Sequence, residues 1–173
     1  MIQKKICLLG ASAVGKTSLV KQYVEGIFSE KYLTSIGVKI DKKQIEITKQ
    51  DAVQHETVNT TVQFMIWDIE GIDRYSGFHA KYLRGASAFI IVTDQTRSQS
   101  LVEGLDILKM IKEVTDIPGI LAFNKSDLPA SWHWSEIELK EIKQNFSQSF
   151  NTSAKSGDGV EAMFSHLAHV LTE

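Results

Sequence analysis

The chain has 173 residues, 43% hydrophobic and 23% charged, with a formal net charge of −2. This composition is that of one ordinary globular domain, taken as residues 1–173, and it excludes the basic footprint of a nucleic-acid binder. No apolar stretch reaches membrane-spanning length and no signal peptide precedes the first apolar run, so a cytoplasmic protein is expected. Cys7, the single cysteine, then reads as a small buried apolar residue in a reducing compartment.

The first predicted element is a strand near 4–10 through Ile6-Cys7-Leu8-Leu9, followed by a helix near 16–25. Between them lies Gly10-Ala11-Ser12-Ala13-Val14-Gly15-Lys16-Thr17, which matches the phosphate-loop pattern in its strand–loop–helix context. Gly10 and Gly15 let the backbone curl so that the N–H groups of Ser12, Ala13, Val14, Gly15, Lys16, Thr17 and Ser18 can turn toward phosphate oxygens at a helix N-terminus. Lys16 would reach the β- and γ-phosphates, and the Thr17 hydroxyl would ligate Mg²⁺. The plain alternative is a glycine-rich turn between a strand and a helix.

Strands are predicted near 37–47 and 59–67, joined as an antiparallel edge hairpin whose polar middle, Thr48 to Thr57, reads as a long tip. The second strand runs into Trp67-Asp68-Ile69-Glu70-Gly71. A strand-end Asp68 can hold Mg²⁺ through water, and Gly71 offers a backbone N–H that can approach a γ-phosphate closely. A helix near 73–84, a strand near 87–93 and a helix near 98–114 follow.

The next strand, near 117–123, ends in Asn124-Lys125-Ser126-Asp127. A carboxylate at the carboxyl end of a parallel strand, where such sheets bind ligands, can accept from the N1–H and exocyclic amine of guanine. Adenine offers neither donor on that edge and would strand the carboxylate. The Lys125 stem could lie over the base. After a helix near 135–145 and a strand near 148–152 comes Thr152-Ser153-Ala154-Lys155, where the Ala154 N–H could meet the guanine carbonyl; a helix near 158–171 closes the chain. Alternating strands and helices predict a six-stranded, mostly parallel α/β sheet with helices on both faces.

With these four motifs in order, the chain resembles the Ras superfamily of small GTPases, most closely its Rab branch, over nearly its whole length. The resemblance implies a phosphate-loop GTPase fold, GTP/GDP and Mg²⁺ as ligands, and hydrolysis of GTP. It implies two switch loops, near 28–38 and 68–84, that contact effector proteins, together with an exchange factor and an activating protein. It places Phe28 against the guanine, Tyr32 over the phosphates and Ser35 on the metal, and includes Ser153, Ala154 and Lys155 in the base site. Any membrane association would then be peripheral, through partners.

The chain also departs from that pattern. Ile72 stands where the family carries the Gln that orients the attacking water; Ile has no donor or acceptor, so slow hydrolysis is expected. Glu70 replaces a small residue beside the metal site, where it would disturb the γ-phosphate or point to solvent. Ser35 replaces Thr, and Ala13 replaces a loop Gly. The hairpin segment is about ten residues longer than in the family, either a tolerated insertion or a partner contact. The chain ends Leu171-Thr172-Glu173 without a cysteine motif, so no membrane anchor is read in it; an unlipidated protein and a tail beyond this sequence both remain open. His166 and His169 read as one helix face rather than a metal pair, and Trp132-His133-Trp134 as the lip of a core or a docking patch. The leading function is a slow GTP/GDP switch; the alternative is a non-hydrolysing GTP/GDP-binding scaffold. A phosphate-loop kinase or ATPase is disfavoured by Asn124–Asp127.

Overall fold

The computed structural model describes residues 1–31, 37–51, 53, 56–71 and 80–173. Its elements are β1 (Ile2–Leu9), α1 (Lys16–Glu25), β2 (Val38–Gln50), β3 (Thr57–Ile69), β4 (Ala88–Asp94), α2 (Ser98–Val114), β5 (Gly119–Asn124), α3 (Glu136–Lys143), β6 (Gln148–Asn151) and α4 (Val160–Val170). The strands form one sheet in the order β2-β3-β1-β4-β5-β6. All neighbours are parallel except β2 and β3. This is the mostly parallel sheet that the sequence predicts.

The central strands are apolar on both faces because helices cover both. Ile6 and Leu8 of β1 face a core layer with Leu19 and Tyr23 of α1 and Phe164 and Leu167 of α4. Cys7 and Leu9 face the opposite layer, with Leu101 and Ile107 of α2 and Ile142 of α3. Tyr23 and Phe164 stack with ring centroids 3.9 Å apart. Fully burying a side chain such as Phe164 is worth roughly 1.5–3 kcal/mol. Burial also pushes the Cys7 thiol up to about 11, as suits an inert, core-packed sulfur.

Helix ends follow local chemistry. Ser135 and Glu138 form a reciprocal capping box at the start of α3: the Glu138 N–H donates to Ser135 Oγ at 3.2 Å and the Ser135 N–H to Glu138 Oε2 at 2.7 Å. The Trp132 ring meets Phe123 edge-on at 5.1 Å, so this aromatic stretch is in part the lip of the core. The His166 ring lies 5.6 Å from Phe150.

Two expectations are corrected. The predicted hairpin tip from Thr48 to Thr57 is shorter than expected: strand pairing runs without a break from Val38↔Ile69 to Gln50↔Thr57, so Thr48, Lys49, Gln50 and Thr57 belong to the strands and the connection spans 51–56. At Thr48–Gln50 the polarity is that of a half-exposed ribbon. Ile45 and Ile47 still alternate into the core, Thr48 Oγ1 donates to Asn59 Oδ1, and the Lys49 ammonium reaches the Thr172 carbonyl. The predicted helix near 73–84 is, in its described part, only a 3-10 turn at Ala80–Leu83; residues 72–79 lie outside the described residues.

Candidate functional site

The phosphate loop, Asp68 to Gly71, Asn124 to Asp127 and Ser153 to Lys155 meet at the carboxyl edge of the sheet. The strands deliver them: β1 ends at the phosphate loop, β3 at Asp68, β4 at Asp94, β5 at Asn124 and β6 just before Thr152. This is where open α/β sheets gather ligands, because helix N-termini and loops converge beyond the strand ends.

A cavity of about 330 Å³ opens there, lined by Ala13, Gly15, Ser18, Phe28, Asn124, Lys125, Asp127, Ala154 and Lys155 among others. Gly15 is glycine for two reasons. Its φ of +99° is a conformation L side chains rarely adopt, and a Cβ there would lie 2.4 Å from Asn124 Nδ2. It precedes α1, whose N-terminal N–H groups have no partner within the helix.

Side-chain donors hold the phosphate loop by its carbonyls. Lys16 Nζ donates to the Gly10 and Ala11 carbonyls at 3.2 and 2.9 Å. Lys125 Nζ donates to the Ala13 carbonyl at 3.1 Å, and Asn124 Nδ2 to the Val14 carbonyl at 2.9 Å. Burial drives the Lys16 ammonium down to about 8, with Asp68 pulling it up and Arg97 pushing it down. A buried ammonium surrounded by carbonyl oxygens is well placed to receive an anion.

At the other end, Ser153 Oγ donates to Asp127 Oδ1 at 2.8 Å, orienting the carboxylate at the cavity wall. Thr152 Oγ1 donates to Asn124 Oδ1 at 3.2 Å, so the Ser153–Lys155 turn and the Asn124–Asp127 turn are tied together. Ala154 is buried, and Lys155 sits at the rim in an exposed ion pair with Glu30. Phe28 is partly exposed at the mouth.

Thr17 Oγ1 donates to Asp68 Oδ2 at 2.6 Å, and Asp68 is 1% exposed. Two oxygen donors this close, one of them a carboxylate, fit a hard divalent cation such as Mg²⁺. Gly71 lies against the phosphate loop: a Cβ on it would meet Ser12 Cα at 2.5 Å. Tyr32, Ser35 and Ile72, also expected at this site, lie outside the described residues.

Glu70 takes neither course expected of it. Its Oε2 accepts the Gly37 N–H at 2.9 Å, and its own N–H donates to the Gly37 carbonyl at 2.8 Å. The carboxylate thus joins the end of β3 to the start of β2.

Sequence reasoning missed Asp94, Thr96 and Arg97. Asp94 is 1% exposed and salt-bridges Lys125 at 2.8 Å and Arg97 at 3.3 Å. Burial raises its pKa, but hydrogen bonds from Lys125 and Thr96 outweigh burial and hold the carboxyl below its usual range. A signal was present: a carboxylate closing an otherwise apolar strand at the ligand-binding edge of a parallel sheet.

The Ras family profile matches residues 5–173. The chain belongs to the Ras family. Relatives it resembles include proteins named for the Rab branch and for GTP binding. Ras-related protein Rab-32B of Dictyostelium discoideum is 36% identical over 98% of this chain and 63% of its own length. Ras-related protein Rab-1 of Theileria parva is 31% identical over 98% of the chain and 74% of its own length. GTP-binding protein YPT52 of Saccharomyces cerevisiae is 32% identical over 99% of the chain and 82% of its own length. This Ras-family chain is thus a Rab-like small GTPase, and it spans a little under two thirds of the Dictyostelium relative. Among its described residues, no helix is long and apolar enough to cross a membrane.

Proposed function

We propose that the cavity binds GTP and GDP and that the protein is a nucleotide-dependent switch with slow intrinsic hydrolysis. The observation that carries this reading is the pairing of ends in one cavity. The carbonyl-clamped phosphate loop forms one end, and Asp127, oriented by Ser153, stands at the other. On this reading the backbone from Ser12 to Ser18 cradles the phosphates, and Lys16 exchanges its carbonyl partners for the β- and γ-phosphates. Asp127 accepts from the guanine N1–H and amine, while Phe28, Lys125 and the Ser153–Lys155 turn enclose the base. Thr17, Asp68 and Ser35 would hold Mg²⁺, which supplies charge neutralisation between the phosphates. Gly71 lies close enough to the phosphate loop to present its N–H to the terminal phosphate.

Slow turnover follows from Ile72, which can neither orient nor polarise water. Effectors would read the loops near 28–38 and 68–84, whose order responds to the terminal phosphate. An exchange factor and an activating protein would set the lifetimes of the two states.

The test is selectivity. The unaltered protein should bind GTP and GDP at least a hundredfold more tightly than ATP. Asp127→Asn should weaken guanine binding by more than tenfold, about 1.4 kcal/mol, and improve xanthine nucleotides relative to guanine ones. Equal affinity for ATP and GTP would overturn the reading. Binding without any single-turnover hydrolysis would leave the scaffold alternative instead.

A further inference from the structure

Five consecutive carbonyls of the phosphate loop, from Gly10 to Val14, are each taken by a side-chain donor. Lys16 takes those of Gly10 and Ala11, Lys125 that of Ala13, and Asn124 that of Val14. The one between them, Ser12, accepts from Arg97 Nη2 at 2.8 Å. A trans peptide points its C=O and N–H in opposite directions. Capping a carbonyl from behind therefore aims the next residue's N–H toward the ligand side. The Ser12 carbonyl controls the N–H of Ala13, a residue held at φ +65° although it is not glycine.

Arg97 is not an ordinary surface arginine. Its Nε lies 3.3 Å from Asp94 Oδ2, an oxygen also held by Lys125 Nζ at 2.8 Å. Thr96 fixes the other carboxylate oxygen through its N–H and hydroxyl. The guanidinium is thus anchored at one end on a buried carboxylate and at the other on the phosphate loop. Its position along the site matters as well. Lys125 and Asn124 clamp the loop at the Asp127 end, whereas Arg97 clamps it at Ser12, against which Gly71 packs.

We infer that Arg97 is a positioning residue that sets the Ser12–Ala13 peptide for the terminal phosphate and so favours nucleoside triphosphate over diphosphate. This inference rests on the guanine-nucleotide reading above. Arg97 itself need not touch the ligand: it acts through the peptide it holds.

The experiment measures equilibrium binding of GDP and of β,γ-imido-GTP, which is not hydrolysed, to the full chain with Mg²⁺. R97A should weaken the triphosphate analogue at least tenfold and GDP less than threefold. R97K, which retains one cationic donor, should recover part of the triphosphate loss. The Arg97 side chain is 45% exposed, so R97A should melt within a few degrees of the unaltered protein. Equal losses for both nucleotides, with or without a fall in melting temperature, would make Arg97 a general structural contact and overturn the inference. So would no loss for either. Failure of the unaltered protein to bind either nucleotide would remove the guanine reading itself, and this inference with it.

Discussion

Asn124 bonds to both ends of the cavity, and its truncation tests how the site is held together. It is 1% exposed. Its Nδ2 donates to the Val14 carbonyl at 2.9 Å and its Oδ1 accepts from Thr152 Oγ1 at 3.2 Å. Asn124→Ala removes both bonds, each worth about 1 kcal/mol net, and leaves a buried carbonyl and a buried hydroxyl without their partner. Stranding such a group adds about 1–3 kcal/mol, although the hydroxyl can rotate to another acceptor. The expected loss is about 2–4 kcal/mol, a fall in Tm of about 5–15 °C for a chain of this size. Thr152→Val deletes only the longer of the two bonds and strands only Asn124 Oδ1, so it should cost about half as much, roughly 1–2 kcal/mol. Urea unfolding of the nucleotide-free protein at constant slope measures both. GDP release should accelerate more in Asn124→Ala, because the peptide that aims the Gly15 N–H loses its clamp. A loss below about 1 kcal/mol for Asn124→Ala, or equal losses for the two variants, would refute the reasoning.

Other expectations follow from single contacts. Lys16 titrates at about 8 in the folded, nucleotide-free protein and at about 10.5 when unfolded, so between those pH values the unfolded chain binds more protons. Nucleotide-free stability should therefore rise from about pH 8 toward 10.5, and Lys16→Met should flatten the profile; parallel profiles would exclude burial as the cause. Glu70→Ala removes the acceptor for the Gly37 N–H and should speed hydrogen exchange at Gly37 at least tenfold, whereas Glu70→Gln should do so less; unchanged exchange would show the bond to be dispensable. Ile72→Gln should raise the single-turnover rate of GTP hydrolysis about tenfold, equivalent to about 1.4 kcal/mol of barrier; fast hydrolysis by the unaltered protein would contradict the expectation.

How much was legible in the chain depended on how far apart the cooperating residues lie. The phosphate loop, Asp68 to Gly71, Asn124 to Asp127 and Ser153 to Lys155 are short contiguous stretches. Each carries its own backbone requirement or hydrogen-bonding chemistry, and each lies at the end of a strand. Sequence alone therefore located these motifs, the order of strands and helices, and the likeness to small GTPases. Strand lengths were less legible: β2 runs to Gln50 and β3 starts at Thr57, but Thr48-Lys49-Gln50 is polar and carries no apolar alternation beyond Ile45 and Ile47.

The tertiary structure alone decided what holds the motifs in register. Arg97 meets a carbonyl 85 residues away at Ser12, and Asn124 one 110 residues away at Val14. No local pattern marks such pairs, because they exist only once β4 is laid beside β1 and β5 beside β4 in the sheet order β2-β3-β1-β4-β5-β6. The same holds for Glu70, whose carboxylate finds the Gly37 N–H because antiparallel pairing brings Val38 opposite Ile69. A side chain's type set the kind of bond it could make; the sheet register, a property of the whole chain, set which partner it met.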